Sequence, residues 1–434
     1  MESGINKKPN ILIITSFLSN DNSSQMIWDV TKSLEDYYCV DILSKYPVKK
    51  EFFNIYSAYS NYEKLIHSYF NILESKFKSF KKKIIKSVEK KTLPYYFFGI
   101  NEEKPPVNPK RIVSKIDKEY DFILIFFWQG LLTSKTLQEI YKKTKKPLLL
   151  IAADMFPMTG GCSYFWDCDR LKNSCGKCPG ISSNNENDTT RKNFLFKKEI
   201  LSNLNCVFLG NSWQINHAKK SGLFKNMEKI YPIVDEDVFK QRDKLLLKQK
   251  FNYSNKIVLF FGALGVNDPR KGFQYLLDSL KLLSELRPDL IKNIVLLVAG
   301  SGDKVEGLDK FEVKYTGHLT FDQLAEHYAL ADVFLSPSIQ DAGPMMLNQA
   351  LMCGTPAVAF NIGTACDIIN DNTGYLAKYK DSKDFCNGII QIITKSDTEL
   401  QQISEICRIQ SLERSSYKGF RNGILTSYNK IKSN

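Results

Sequence analysis

No stretch of the chain approaches the roughly 18 consecutive apolar residues that cross a bilayer as a helix. The opening MESGINKKPN also has no apolar core of the kind a secretory signal carries. A membrane-spanning helix is thereby excluded, and a cytoplasmic location is expected. Cysteine is sparse as well: ten in 434 residues do not make the dense framework of a small secreted scaffold. In a reducing compartment most of them should be thiols or metal ligands. No internal repeat marks the first half. The basic residues come without a recognised nucleic-acid-binding module, so nucleic acid is not expected as a partner.

What is present points to two domains, because 434 residues exceed what one hydrophobic core usually supports. A balance of 43% hydrophobic and 25% charged residues is that of a globular protein. The most informative stretch runs from Phe334 to Phe360, FLSPSIQDAGPMMLNQALMCGTPAVAF. Val333, Phe334 and Leu335 form a short apolar strand ending at Ser336-Pro337, so the chain leaves the sheet at its carboxyl edge, where open α/β sheets bind ligands. Asp341 falls in the next loop. Gly343-Pro344 opens a helix, proline being suited to the first turn, and leaves the amides of Met345, Met346 and Leu347 to face an anion such as phosphate. Met346, Leu347, Ala350 and Leu351 give a buried stripe, Gly354 caps the helix, and Ala357 to Phe360 reads as the next strand.

This segment resembles the signature of the retaining nucleotide-sugar glycosyltransferases of family 4, which pairs two glutamates eight residues apart ahead of a Gly-x-Pro turn. Here Asp341 stands at the first acid and Gln349 at the second. The resemblance implies the GT-B architecture: an α/β chain with two Rossmann-like, doubly wound parallel-sheet domains facing a cleft. It places Asp341 near the transferred sugar, and Gln349 at the ribose without the charge-assisted part of the family's bond. Ala342, Gly343, Pro344 and Met345 would hold phosphate and sugar. Earlier, Ile257–Gly262 reads as a strand, followed by Gly265, Asp268, Arg270, Lys271 and Gly272 and the helix Phe273–Leu286. In the family a cation at this helix start binds the donor diphosphate, and two cations beside a helix N-terminus suit pyrophosphate on physical grounds alone. Gly317 and His318 resemble the segment that lines the nucleobase.

The first half reads as the acceptor side. Asn10–Ser16, Cys39–Leu43, Tyr120–Trp128 and Pro147–Ala153 are predicted strands, and Met26–Tyr37 and Leu131–Tyr141 predicted helices. The loop Ser16–Ser24 after the first strand has no glycine, where family members often do. Asp154 opens DMFPMTGGCSYFWDCDRLKNSCGKCPG, a segment resembling one in a surface-polysaccharide assembly subgroup of the family, and on that resemblance Asp154 is a catalytic candidate. That subgroup has histidines where this chain has Ala153 and Phe127. An imidazole can share protons and alanine cannot.

Cys162, Cys168, Cys175 and Cys178 lie within seventeen residues. Four thiolates so spaced fit a structural tetrahedral zinc site; free thiols or a disulfide are the other readings. No metal or other cofactor is needed for the transfer itself, since protein cations and a helix dipole supply the charge. From Lys76 to Lys91 eight lysines accompany Phe77, Phe80, Ile84 and Val88 at helical spacing, with Leu73 extending the stripe. This basic amphipathic pattern suits an anionic membrane surface, at the inner face of the membrane, or a solvated domain helix.

The expected layout is residues 1–232 as the acceptor-side domain, 233–408 as the nucleotide-sugar domain, and 409–434 as a helix returning to the first. The expected activity is retaining transfer of a hexose from a nucleoside diphosphate sugar to a saccharide or lipid-linked acceptor. The competing expectation, resting on Gln349, Ala153 and Phe127, is a weak or inactive binding protein of the same fold.

Overall fold

Runs of fully buried residues such as Ile11–Ile14, Leu148–Leu150 and Leu259–Phe260 have no polar alternation, as expected of parallel strands covered on both faces. A computed structural model describes residues 8–70, 95–97, 100–302 and 306–432. Leu73 and the basic stretch 76–91 lie outside the described residues. Two compact units are present. One gathers the chain up to Leu209, Ile215–Glu228 and the residues from Thr426 onward; the other gathers Gly210–Gln214 and Lys229–Leu425.

The sheet of the first unit comprises β1 (Asn10–Thr15), β2 (Cys39–Ser44), β3 (Asn54–Ser57), β4 (Ile123–Phe126), β5 (Leu148–Ile151), β6 (Cys206–Gly210) and β7 (Asn226–Lys229), in the order β3-β2-β1-β4-β5-β6-β7. The pairings from β3 through β6 are parallel. The helix Gln25–Leu34 joins β1 to β2 and ends three residues short of the predicted Tyr37. The strand order reverses between β1 and β4, the topological switch point where doubly wound sheets open a crevice at the carboxyl ends.

The second sheet comprises β8 (Ile257–Gly265), β9 (Ile294–Ser301), β10 (Glu312–Gly317), β11 (Val333–Ser336), β12 (Ala357–Phe360) and β13 (Gly374–Ala377), in the order β10-β9-β8-β11-β12-β13, all parallel. Its switch point lies between β8 and β11. Beneath it Phe260, Tyr328 and Phe334 meet edge to face, with ring centroids 5.3, 5.4 and 5.8 Å apart, the geometry aromatic quadrupoles favour. The helix Phe273–Leu286 follows β8 as predicted. β8 itself runs on to Gly265, three residues past the predicted end.

Candidate functional site

At the second switch point the loop after β8 is stitched to the loop after β11. Arg270 lies in a short 3-10 turn, Pro269–Lys271. Its carbonyl accepts the amides of Ile339 at 2.8 Å and Gln340 at 3.2 Å. Gly272 has φ +65°, and a Cβ there would stand 1.9 Å from the Pro337 carbonyl oxygen, so only glycine lets the two loops approach this closely. The stitching brings Lys271 Nζ to 2.6 Å from Asp341 Oδ2. Asp341 Oδ1 accepts the amide of Gly343 at 3.2 Å. Arg270 forks onto Asp268, with Nε–Oδ2 at 3.1 Å and Nη2–Oδ2 at 2.5 Å.

The helix after this loop is Met345–Met352, with Pro344 at its N-cap and not inside its first turn. Of the three amides expected to face an anion, that of Leu347 is already donated to the Pro344 carbonyl at 3.1 Å. Those of Met345 and Met346 belong to the first turn, where helices leave amides without intrahelical partners. Met346 is half-buried and lies over β8, since a Cβ on Gly262 would stand 2.1 Å from its Cε. Gln349 is 6% exposed, and its Oε1 accepts the Tyr328 hydroxyl at 3.2 Å. Its side chain is thus tied to the aromatic core. Gly317 ends β10, two strands from β8, and His318 follows it, exposed. Gly265 and Gly317 both stand in open space.

The loop has further supports, at positions whose contact with it sequence order does not reveal. Asn211 of the second unit donates its carboxamide to the Ala342 carbonyl and to Thr364 Oγ1, the latter at 3.1 Å. Gly363, at φ +57°, lets its turn approach Asp341, whose carbonyl oxygen would lie 2.4 Å from an added Cβ. A Gly-Thr pair after a strand was the available signal, but its neighbour across the loop is a matter of tertiary placement.

In the first unit Asp154 follows β5 at the carboxyl edge. Its Oδ2 accepts Gln129 Nε2 at 2.8 Å and the Ser163 hydroxyl at 2.7 Å, and its Oδ1 accepts the Phe156 amide at 2.8 Å. Burial pushes its carboxyl up to about 6 despite these donors and the nearby Lys197 ammonium. Lys197 is fully buried; its Nζ donates to the carbonyls of Phe156 and Thr159, both at 2.9 Å, and lies 3.5 Å from Glu102. Glu102, itself 1% exposed, accepts the amide and hydroxyl of Ser134 at 2.7 and 2.8 Å. Phe127 has a left-handed backbone with φ +34°.

Cys162, Cys168, Cys175 and Cys178 line one small cavity of about 20 Å³ with Tyr95 and Phe97. None of the four is in a disulfide. Burial pushes the Cys175 thiol up to about 12 and raises those of Cys162 and Cys178. The spacing thus brings the four together. Among the described residues, however, no three histidine, cysteine, aspartate or glutamate side chains form a group that could hold a metal ion. Among the same residues no helix is long and apolar enough to cross a membrane.

Residues 255–395 match the family described as "Glycosyl transferases group 1". An uncharacterised 41.2 kDa protein of the cps region of Klebsiella pneumoniae is 25% identical over 253 residues, covering 56% of this chain and 65% of that protein. The UDP-Gal:alpha-D-GlcNAc-diphosphoundecaprenol alpha-1,3-galactosyltransferase of Escherichia coli is 23% identical over 192 residues, 42% of this chain and 46% of that one. The matches thus span less than two thirds of either relative's length. Among solved structures, Anabaena HepE in complex with UDP and glucose superposes with a TM-score of 0.60 at 14% identity, covering 97% of this chain and all of that one. That likeness is one of fold.

Proposed function

We propose that this chain, whose residues 255–395 match the family described as "Glycosyl transferases group 1", is a family 4 (GT-B) glycosyltransferase that moves a hexose from a nucleoside diphosphate sugar to a saccharide or lipid-linked saccharide, with retention at the anomeric carbon. The observation that carries the reading is the junction of Arg270, Lys271, Asp341 and Gly343 at a switch point inside the matched region. HepE, which shares the fold, binds UDP and glucose, and the E. coli relative is named for a diphosphoundecaprenol-linked acceptor.

In this reading the donor diphosphate takes Lys271 from Asp341, and Arg270 adds a second cation to the leaving group. The amides of Met345 and Met346 face its phosphate at the positive end of their helix. Asp341, released from the ammonium, turns to the sugar hydroxyls, while Gly317 and His318 line the base. As the bond to the sugar breaks, leaving-group phosphate assists the incoming hydroxyl on the same face, so no protein nucleophile is required. Asp154, fed by three donors, accepts from or orients the acceptor. The binding-protein reading draws on Gln349, which is buried and whose carboxamide oxygen is spent on the Tyr328 hydroxyl.

The membrane reading draws on apolar side chains that precede the basic stretch in sequence: on helical residues 61–70, Tyr62, Leu65, Tyr69 and Phe70 are 62–73% exposed. Such side chains suit the headgroup region of an anionic membrane.

The test is a thermal-shift panel of nucleoside diphosphates and their sugars on the parent and on Lys271→Ala. A shift by one nucleotide that disappears in the variant supports a donor site in the second unit. Failure of every nucleotide to shift the parent would overturn the transferase reading.

A further inference from the structure

We propose that Lys45 binds a phosphate group on the acceptor, so that the first unit takes a phosphate-linked saccharide in preference to a neutral glycan. This rests on the transferase reading above and names the acceptor's chemistry within it. Lys45 immediately follows β2, at the carboxyl edge of the first sheet. Its side chain does not stay beside that strand. A Cβ built on Gly130, in the loop after β4, would lie 3.6 Å from Lys45 Nζ. Since β1 separates β2 from β4, the ammonium reaches across the end of β1 and over the switch point, where a doubly wound sheet receives its ligand. Gly130, at φ +76°, puts no side chain in its way.

The same β4 loop carries Gln129, which bonds Asp154 at 2.8 Å, so the cation stands beside the loop of the acceptor-side carboxylate. Burial pushes the Lys45 ammonium down; among the described residues no carboxylate offsets it, and its Nζ lies 5.5 Å from the centre of the Tyr46 ring. The other buried or part-buried pairs of this unit behave otherwise: Lys118 meets Asp41 at 2.9 Å and Lys197 meets Glu102 at 3.5 Å. A half-buried cation held without a counter-ion is costly in the free protein and suited to a ligand that brings the anion. The net charge of +13 adds long-range attraction for the same class of ligand.

Transfer is measured with an alkyl-pyrophosphoryl N-acetylglucosamine, with N-acetylglucosamine 1-phosphate and with a neutral alkyl N-acetylglucosaminide, on the parent, Lys45→Gln and Lys45→Arg. One lost charge-assisted bond raises KM for the phosphate-bearing acceptors about tenfold in Lys45→Gln. Lys45→Arg recovers most of that loss, and the KM values for the neutral acceptor and the donor stay put. A response to the lipid-linked compound alone assigns the phosphate to a lipid carrier; an equal response to the soluble phosphosugar assigns it to a free metabolite. An equal rise for the neutral acceptor, or a rise in donor KM, overturns the proposal. A thermal shift by the pyrophosphoryl compound without nucleotide gives a second readout: it is lost in Lys45→Gln if the proposal holds and is unchanged if it fails. That result stands apart from the nucleotide shift, which tests the transferase reading and shows that each variant is folded.

Discussion

Lys271 and Asp341 are seventy residues apart in sequence and meet at 2.6 Å, the ammonium 24% and the carboxylate 12% exposed. Neither loop alone would hold them there; the Arg270 carbonyl and the side-chain-free Gly272 join the two loops first. Lys271→Ala leaves a mostly buried carboxylate unpaired and should destabilise the protein by about 1–2 kcal/mol, between the values of surface and buried pairs. Asp341→Ala should cost less, because the lysine stem can carry its charge to water. A double-mutant cycle on urea-unfolding free energies checks this: single costs that simply add would mean that the contact carries no coupling.

Asp154 should give the protein a pH signature. Its folded carboxyl is near 6, against an ordinary value of 3.8, so the native state holds the proton more tightly than the unfolded chain. The associated stability is complete below about pH 4 and is lost as pH rises through 6. In Asp154→Asn that loss should disappear from a stability profile taken between pH 4 and 7. If ionised Asp154 serves the acceptor, kcat/KM rises in the parent with a midpoint near 6, and the limb is absent from the asparagine variant. A parent profile flat from pH 5 to 7 would count against the role.

Much of the second unit was legible because its elements are local. The run Val333–Leu335, the Gly-Pro turn and the strand Ala357–Phe360 each follow from adjacent residues, and the structure has them there. The helix Phe273–Leu286 also came out with its predicted ends. Pro344 stands one position earlier than its preference for the first turn implies, a difference within the usual spread of a helix start. The sequence leaves the Leu347 amide open, whereas the turn closes it on the Pro344 carbonyl. Long-range partners were not legible: nothing near Gln349 announces Tyr328, and nothing near Ala342 announces Asn211. The cysteine spacing suggested a zinc site, free thiols or a disulfide; the four line one cavity, and whether thiols converge to ligand distance depends on side-chain directions that spacing does not encode.

Thiol reactivity follows from that cavity. With Cys175 pushed up to about 12 and Cys162 and Cys178 raised as well, the thiolate fraction at pH 7.5 is minute, and the thiolate is the reactive form. Native protein should therefore alkylate slowly with iodoacetamide at these positions and rapidly in denaturant. Since no three side chains among the described residues are grouped to hold a metal, a chelator should leave the native rate unchanged. Peptide mapping of alkylated cysteines reads both results, and acceleration by chelator together with released zinc would show that the loop closes on a metal.

The buried pair Lys197 and Glu102 should be the most sensitive point of the first unit. Lys197 holds the carbonyls of Phe156 and Thr159 and so shapes the turn that follows Asp154, with its ammonium 3.8 Å from the centre of the Phe156 ring. Lys197→Met leaves Glu102 buried and without its cation, which should cost about 3–5 kcal/mol. Glu102→Gln should cost less, because a carboxamide can still accept from Ser134 and the lysine retains its two carbonyls. Combining the two changes removes the stranded charge, so the double variant should be more stable than Lys197→Met alone. Denaturant midpoints for the three proteins decide it; a double variant no better than Lys197→Met would mean that the carbonyl contacts, and not the ion pair, hold the turn.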